Sequence, residues 1–272
     1  MPPRRPPSGA RPGRASHRSA PGRPAPTPPE LRDAPRPAWL AARILHEDPE
    51  VLILDKPAGL PVHPGPAARR DGSATLEDWL PLLQGRKRHL PQPAHRLDTD
   101  TAGCLAIGRT KPALAALGAL FAAGAARKTY WAVLRGTPAA DSGTIDAPLR
   151  KHSTRAGGWR IEPHPEGQPA RTAWQLLGRT EVGAGEALSW IAFRPLTGRT
   201  HQLRVHATLL CGPILGDPFY GTAEDRADGS GTRGLHLLAR HLALPLDPLR
   251  EATAPVPEAM RAAFRRCGWP GD

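Results

Sequence analysis

Short apolar runs broken by turn residues dominate the chain, with a few stretches of helical spacing between them. Val51-Leu52-Ile53-Leu54, closed by Asp55-Lys56-Pro57, reads as a buried strand running into a turn. The segment PVHPGPAARRDGS, residues 61–73, is loop by composition. Leu76, Trp79, Leu80 and Leu83 then fall at helical spacing between Thr75 and Leu83, interrupted by Pro81. A polar stretch, His95 to Gly103 (HRLDTDTAG), precedes a second short strand at Cys104-Leu105-Ala106-Ile107.

The clearest helix is expected from Thr110 to Ala126. Thr110 can cap it, Pro112 suits its first turn, and Leu114, Leu117 and Phe121 share one face. Strands are expected at Lys128–Leu134 and near residues 143–149, 170–178 and 187–194. Thr197-Gly198-Arg199-Thr200 is expected to open a helix that reaches about Leu210 and stops at Gly212. A Gly/Asp/Ser-rich mobile loop over 221–234, a strand near 235–244 and a short helix near 257–266 complete the pattern. Strands and helices mix without regular alternation, so the expected class is α+β rather than a doubly wound sheet.

Composition changes this picture at the N-terminus. Residues 1–38 hold twelve prolines and eight arginines against Glu30 and Asp33, and so carry +6 of the net charge of +12. Such a stretch cannot build a packed core and is expected to be a disordered basic tail, followed by one folded unit over 39–272. It lacks the apolar run of a secretory signal. Its arginines fit a transit peptide, but its prolines spoil an amphipathic helix. Two readings of its charge remain, a GC-rich genome and an arm that seeks polyanions. No run of 18 apolar residues suggests a membrane span. Three separated cysteines, 104, 211 and 267, fit a reducing cytoplasm better than a disulfide framework.

Candidate chemistry lies in three places. In HRLDTDTAG, Asp98 follows an arginine and lies between two apolar stretches. It reads either as a turn-forming Asx residue or as a carboxylate held on a loop over the core. Asp100 suits capping of the turn toward Gly103. A divalent cation on Asp98 and Asp100 would need further carboxylates, and the neighbours are Arg96 and Arg109. With no HExxH and no Cys/His ligand spacing, no metal is expected. In LTGRTHQLRVH, residues 196–206, His201 and Arg204 border an apolar seam of Leu203, Ala207 and Leu210. That helix can bind phosphate, and Arg204 is the cation to accompany a buried Asp98. Third, Tyr130 in KTY is either a core ring or a platform for a nucleobase.

Taken in order, these stretches resemble the RluA-like pseudouridine synthases. HRLDTDTAG resembles their HRLD-x-x-T-S-G signature, with Ala102 in place of the serine. ILDKPAGLPVHPG, RKTYWAVLRG, LTGRTHQLRVHATLLCGPILGDPFYG and LHLLARHLALP resemble four further family elements, spanning about residues 44–257. The resemblance implies a long, bent, mainly antiparallel mixed sheet with flanking helices and a central catalytic cleft. It implies isomerisation of uridine in ribosomal or transfer RNA to pseudouridine by a cytoplasmic monomer that needs no metal or cofactor. Asp98 would then be the nucleophile, Tyr130 would stack on the target base, and Arg204 would pair with Asp98. Arg96 would fill the gap left by the flipped nucleotide, and His95, Lys128, Arg199 and His201 would be further RNA contacts. The small RNA-binding module that begins many relatives has only the Pro/Arg tail in its place. Two rivals are a noncatalytic RNA-binding protein on the same fold, and a metal-dependent transferase using Asp98 and Asp100.

Overall fold

The computed structural model describes residues 36–65, 72–153, 158–181, 186–223, 225 and 234–272. Its centre is a mixed sheet in which ten strands belong to the described residues. In chain order these are β1 (Ile44–Glu47), β2 (Val51–Lys56), β3 (Gln92–Pro93), β4 (Ala102–Gly108), β5 (Arg127–Arg135) and β6 (Ser142–Asp146). A separate hairpin follows, β7 (Leu149–Ser153) and β8 (Trp159–Pro163), then β9 (Arg171–Arg179), β10 (Leu188–Pro195), β11 (Leu237–Leu244) and β12 (Arg250–Thr253). The main sheet runs β1-β2-β4-β11-β5-β10-β9-β6, with β12 on β11 and β3 on β4. Among the described residues, the β4–β11 pair is parallel and the other strand pairs are antiparallel. The expected α+β class and mostly antiparallel mixed sheet are therefore what the chain forms.

Local chemistry explains where the helices begin and end. The α-helices α1 (Ala38–Ala41), α2 (Lys111–Ala122), α3 (Gln202–Leu210) and α4 (Glu258–Arg266) pack with a 3-10 helix at Leu76–Leu83. Thr110 caps α2 by accepting from the Ala113 amide at 3.2 Å. That helix stops four residues short of the expected Ala126, because Gly124 turns the backbone to φ +67°. The 75–83 stretch keeps its buried leucines but winds as 3-10, with Pro81 inside it and an Asp78–Thr75 capping box at its start. Expected helix around 197–201 is loop instead. There the Gln202 side chain accepts from the Thr197 hydroxyl at 2.8 Å and the Arg199 amide at 2.9 Å, holding the segment open. His201 closes this loop in the left-handed region at φ 53°, a conformation rare for a non-glycine residue.

Of the expected tail, residues 1–35 lie outside the described residues. Arg36 bridges Glu47 at 2.7 Å, and Ala38 starts α1. Most of the loop expected at 221–234 also lies outside the described residues. Asp225, within it, is tied to Arg135 through two hydrogen bonds.

The parallel β4–β11 contact places the HRLDTDTAG loop over the middle of the sheet. Gly103 pairs with Ala239 at φ +106°, and a Cβ there would run into the Ala239 backbone. Tyr130 on β5 pairs with Ala239 from the other side of β11. Core clusters above and below both include Tyr130 at their edge, which fixes its ring.

Candidate active site

A groove of about 580 Å³ crosses the sheet at this point, lined by the 95–98 loop, Tyr130, the end of α2 and the 195–204 segment. Asp98, Tyr130 and Arg204 all line it, as do Arg96, His95, Lys128, Arg199 and His201. Every residue singled out as candidate chemistry in the sequence thus opens onto one groove, except Asp100. The Asp98 side chain keeps 20% of its surface exposed, so it sits at the groove wall rather than sealed in the core.

Arg204 is 2% exposed, and its strongest partner is not the expected one. Its Nε and Nη2 donate to the Asp217 carboxylate at 2.8 and 2.6 Å, a two-pronged buried pair. Asp217 also accepts from the amides of Phe219 and Tyr220 at 2.8 and 3.0 Å. Asp98 is the outer partner of the same guanidinium, 3.7 Å from Nη1. The pairing of Arg204 with Asp98 is thus an approach across the groove, and Asp217 is the residue that holds Arg204 in place. Burial is the largest influence and works against the charge on Arg204, but the Asp217 hydrogen bond and charge, joined by the charges of Asp98 and Asp100, raise the Arg204 pKa overall.

His201 sits between the two carboxylate environments. Arg204 Nη1 can only donate, so His201 Nε2, 3.2 Å away, must be the acceptor. His201 Nδ1 then carries the proton and donates to the Tyr220 oxygen at 2.9 Å. Burial and the neighbouring Arg204 charge push the His201 pKa down to about 4. His95 is likewise neutral. Its Nε2 accepts from the Ala106 amide at 3.0 Å, its ring stacks on Phe121, and burial followed by the Lys128 charge pushes its pKa down to about 3. His95 therefore fastens the loop to β4, and a cationic contact to phosphate is left to Arg96, Lys128 and Arg199. Burial lowers the Lys128 pKa and raises that of Tyr130, which Asp98 raises further, so Tyr130 stands as a neutral phenol.

A residue that supports the site from behind escaped the sequence. Lys56, fully buried at the end of β2, donates to the carbonyls of Pro57, Leu60 and Thr99 at 2.8, 2.9 and 2.9 Å. Through Thr99 it anchors the residue next to Asp98. Burial pushes its pKa down to about 7, while the carboxylates of Asp100 and Asp98 pull it back up. Burial raises the Asp100 pKa against the pull of Arg204 and Lys56. Among the described residues, no three His, Cys, Asp or Glu side chains converge as a metal site. Among the same residues, no helix is long and apolar enough to cross a membrane.

The buried histidines make stability depend on acid. Above the ordinary histidine pKa of about 6.5, neither the folded nor the unfolded chain holds the extra proton. Below it, the unfolded chain takes up protons that His201 refuses until about pH 4, so stability is lost as the pH falls through that window. At pH 5 His201 should account for a loss of about 2 kcal/mol. Urea unfolding at pH 7 and pH 5 should show His201→Asn, whose side chain tolerates the left-handed backbone, losing less stability than the wild type by that amount. Identical losses in the two proteins would refute the neutral His201.

A basic groove over a mixed sheet, with a carboxylate and a phenol facing the same space, fits an enzyme that acts on a nucleic-acid base. Comparison with known proteins agrees. Residues 50–209 match the family model of RNA pseudouridylate synthase. An uncharacterized RNA pseudouridine synthase of Zymomonas mobilis is 44% identical over 222 residues, covering 81% of this chain and 96% of that protein. Ribosomal large subunit pseudouridine synthase D of Xanthomonas campestris is 35% identical over 240 residues, covering 83% of this chain and 69% of that one. Among solved structures, human RNA pseudouridylate synthase domain containing 4 matches with a TM-score of 0.67 at 27% identity, covering 84% of this chain and 94% of that one. The chain belongs to the RNA pseudouridylate synthase family, and is an isomerase that acts on uridine in RNA.

Proposed function

We propose that Asp98 is the nucleophile of this isomerisation, with Tyr130 stacked on the everted uracil and Arg204 orienting the Asp98 carboxylate. The single observation that carries the reading is the shared groove, in which Asp98 lies 3.7 Å from a guanidinium fixed by Asp217 and Tyr130 lines the same space. The reaction breaks the N1–C1′ glycosidic bond, turns the uracil and joins C5 to C1′; C5 loses its proton to solvent and the freed N1 takes one up. No electrons are gained or lost. A carboxylate beside the nucleoside can capture an electron-poor centre, as in retaining glycosidases. Tyr130, held as a neutral phenol, offers its face to the ring and its hydroxyl to proton movement. Eversion of a nucleotide costs a few kcal/mol in general, which Arg96 offsets by filling the vacancy from the exposed rim. Arg96, Lys128 and Arg199 supply phosphate contacts whose affinity falls with salt.

The proposed substrate is large-subunit ribosomal RNA, modified by a cytoplasmic monomer. Support for the substrate is that relatives from Xanthomonas campestris and Escherichia coli, 35% and 31% identical, are named ribosomal large subunit pseudouridine synthases. The unpaired Cys104, Cys211 and Cys267 suit a reducing compartment. Pseudouridine mapping of total RNA, from cells with and without this protein, should show one or a few large-subunit uridines losing modification. Loss confined to transfer RNA would overturn the substrate assignment.

A further inference from the structure

The β7–β8 hairpin builds a second hollow that the chemistry at Asp98 does not use. This groove, of about 550 Å³, is continuous with the first, since Arg96, Arg199 and Thr200 line both. Strand pairing sets Lys151 opposite Ile161 and Ser153 opposite Trp159. Alternation along a strand then puts Leu149, Lys151, Ile161 and Trp159 on one face. Leu149 and Ile161 are buried at the base of the hairpin in a small core with Ala170 and Val205, but Trp159 is 38% exposed. A ring that served the core alone would be covered by it. Instead Trp159 is flanked by Lys151 Nζ, 4.9 Å from its ring centre, and by the His201 ring at 5.1 Å. The same hollow presents four cations, Arg96, Arg150, Lys151 and Arg199, against one carboxylate, Glu166.

We propose that this hollow is a subsite for the RNA strand flanking the target uridine, in which a nucleobase stacks on Trp159 and its phosphates meet Lys151, Arg96 and Arg199. The inference rests on reading the Asp98 groove as the place of reaction. An exposed indole beside cations that face the same hollow is the combination that holds single-stranded nucleic acid, because every base offers a π face and every linkage a negative charge. Among the described residues, Glu162 and Glu166 engage Arg150, at 3.4 and 4.0 Å, and Arg199 Nε donates to the Pro169 carbonyl at 3.0 Å, which leaves Lys151, Arg96 and the terminal amines of Arg199 to the strand. His201 links the two hollows physically, touching Trp159 on one side and Arg204 on the other.

The test uses the full chain and total RNA, labelled with tritium at uridine C5, from cells lacking the protein. Tritium release then reports turnover whichever RNA holds the site. Trp159→Ala should raise KM by about tenfold, with kcat changed less than twofold, and Trp159→Phe should restore most of the affinity. Binding of the same RNA should quench tryptophan fluorescence less in Trp159→Phe than in the wild type. An unchanged KM in Trp159→Ala, or a fall in kcat alone, would overturn the subsite. Asp98→Asn in the same assay separates the two readings. If it still turns over, the Asp98 groove is not the place of reaction and the subsite falls with it; if it is dead while Trp159→Ala has a normal KM, only the stacking is wrong.

Discussion

Asp98→Asn should lose turnover by more than about a thousandfold while still binding RNA and melting close to the wild type. The amide has the shape of the carboxylate but neither its charge nor its nucleophilic oxygen. The structure explains why stability should barely change. Arg204 keeps its two short hydrogen bonds to Asp217 when Asp98 is neutralised, so no buried charge is stranded. What is lost is a 3.7 Å approach by a side chain that is one-fifth exposed, the kind of contact worth about 0–1 kcal/mol. Tritium release from uridine C5, filter binding and a thermal melt measure the three quantities. Turnover within tenfold of the wild type would remove Asp98 from the chemistry.

Much of this site was legible because its parts carry local signals. A polar loop between two apolar runs announces itself, and Gly103 is needed where the loop meets the β11 backbone too closely for a side chain. Thr110 before Lys111-Pro112 is a cap that needs no tertiary knowledge. The long strands β4, β5, β9, β10 and β11 were visible for the same reason, being apolar runs of the right length bounded by turn residues.

What stayed hidden was decided at long range. Lys56 reads as the polar end of a strand, and only the fold brings the carbonyl of Thr99, 43 residues away, to its ammonium. The β7–β8 hairpin was missed because its outward face is charged and its sequence shows no clean alternation, so its two buried residues, Leu149 and Ile161, do not stand out. The helix expected from Thr197 is longer than α3, because a Thr-Gly-Arg-Thr opening resembles a helix start. The Gln202 side chain instead satisfies the loop's donors and lets His201 take a left-handed turn. Most telling is Asp217. In Asp-Pro-Phe-Tyr-Gly it looks like an ordinary turn former, and it does cap that turn through Phe219 and Tyr220. Its other role, as the buried counter-ion of Arg204, lies 13 residues from its partner and off any helical spacing.

That second role predicts a different outcome from neutralising Asp98. Asp217→Ala should destabilise the protein by about 3–5 kcal/mol, because it strands a guanidinium that is 2% exposed. Two backbone amides lose their acceptor in the same step. The cost falls on function as well as on folding. Freed from Asp217, Arg204 has Asp98 as its nearest remaining carboxylate, and it should swing toward the groove and close on the group it now only approaches. Turnover should therefore fall at temperatures where the variant is still folded, and KM should change less than kcat. Asp217→Asn keeps the two amide contacts and one hydrogen bond to Arg204, so its loss of stability should be smaller while its loss of turnover persists. Urea unfolding and tritium release on both variants check the two effects separately. A wild-type kcat in folded Asp217→Asn would mean that Arg204 does not act on Asp98 through its fixed position, and the division of labour between the two carboxylates would have to be abandoned.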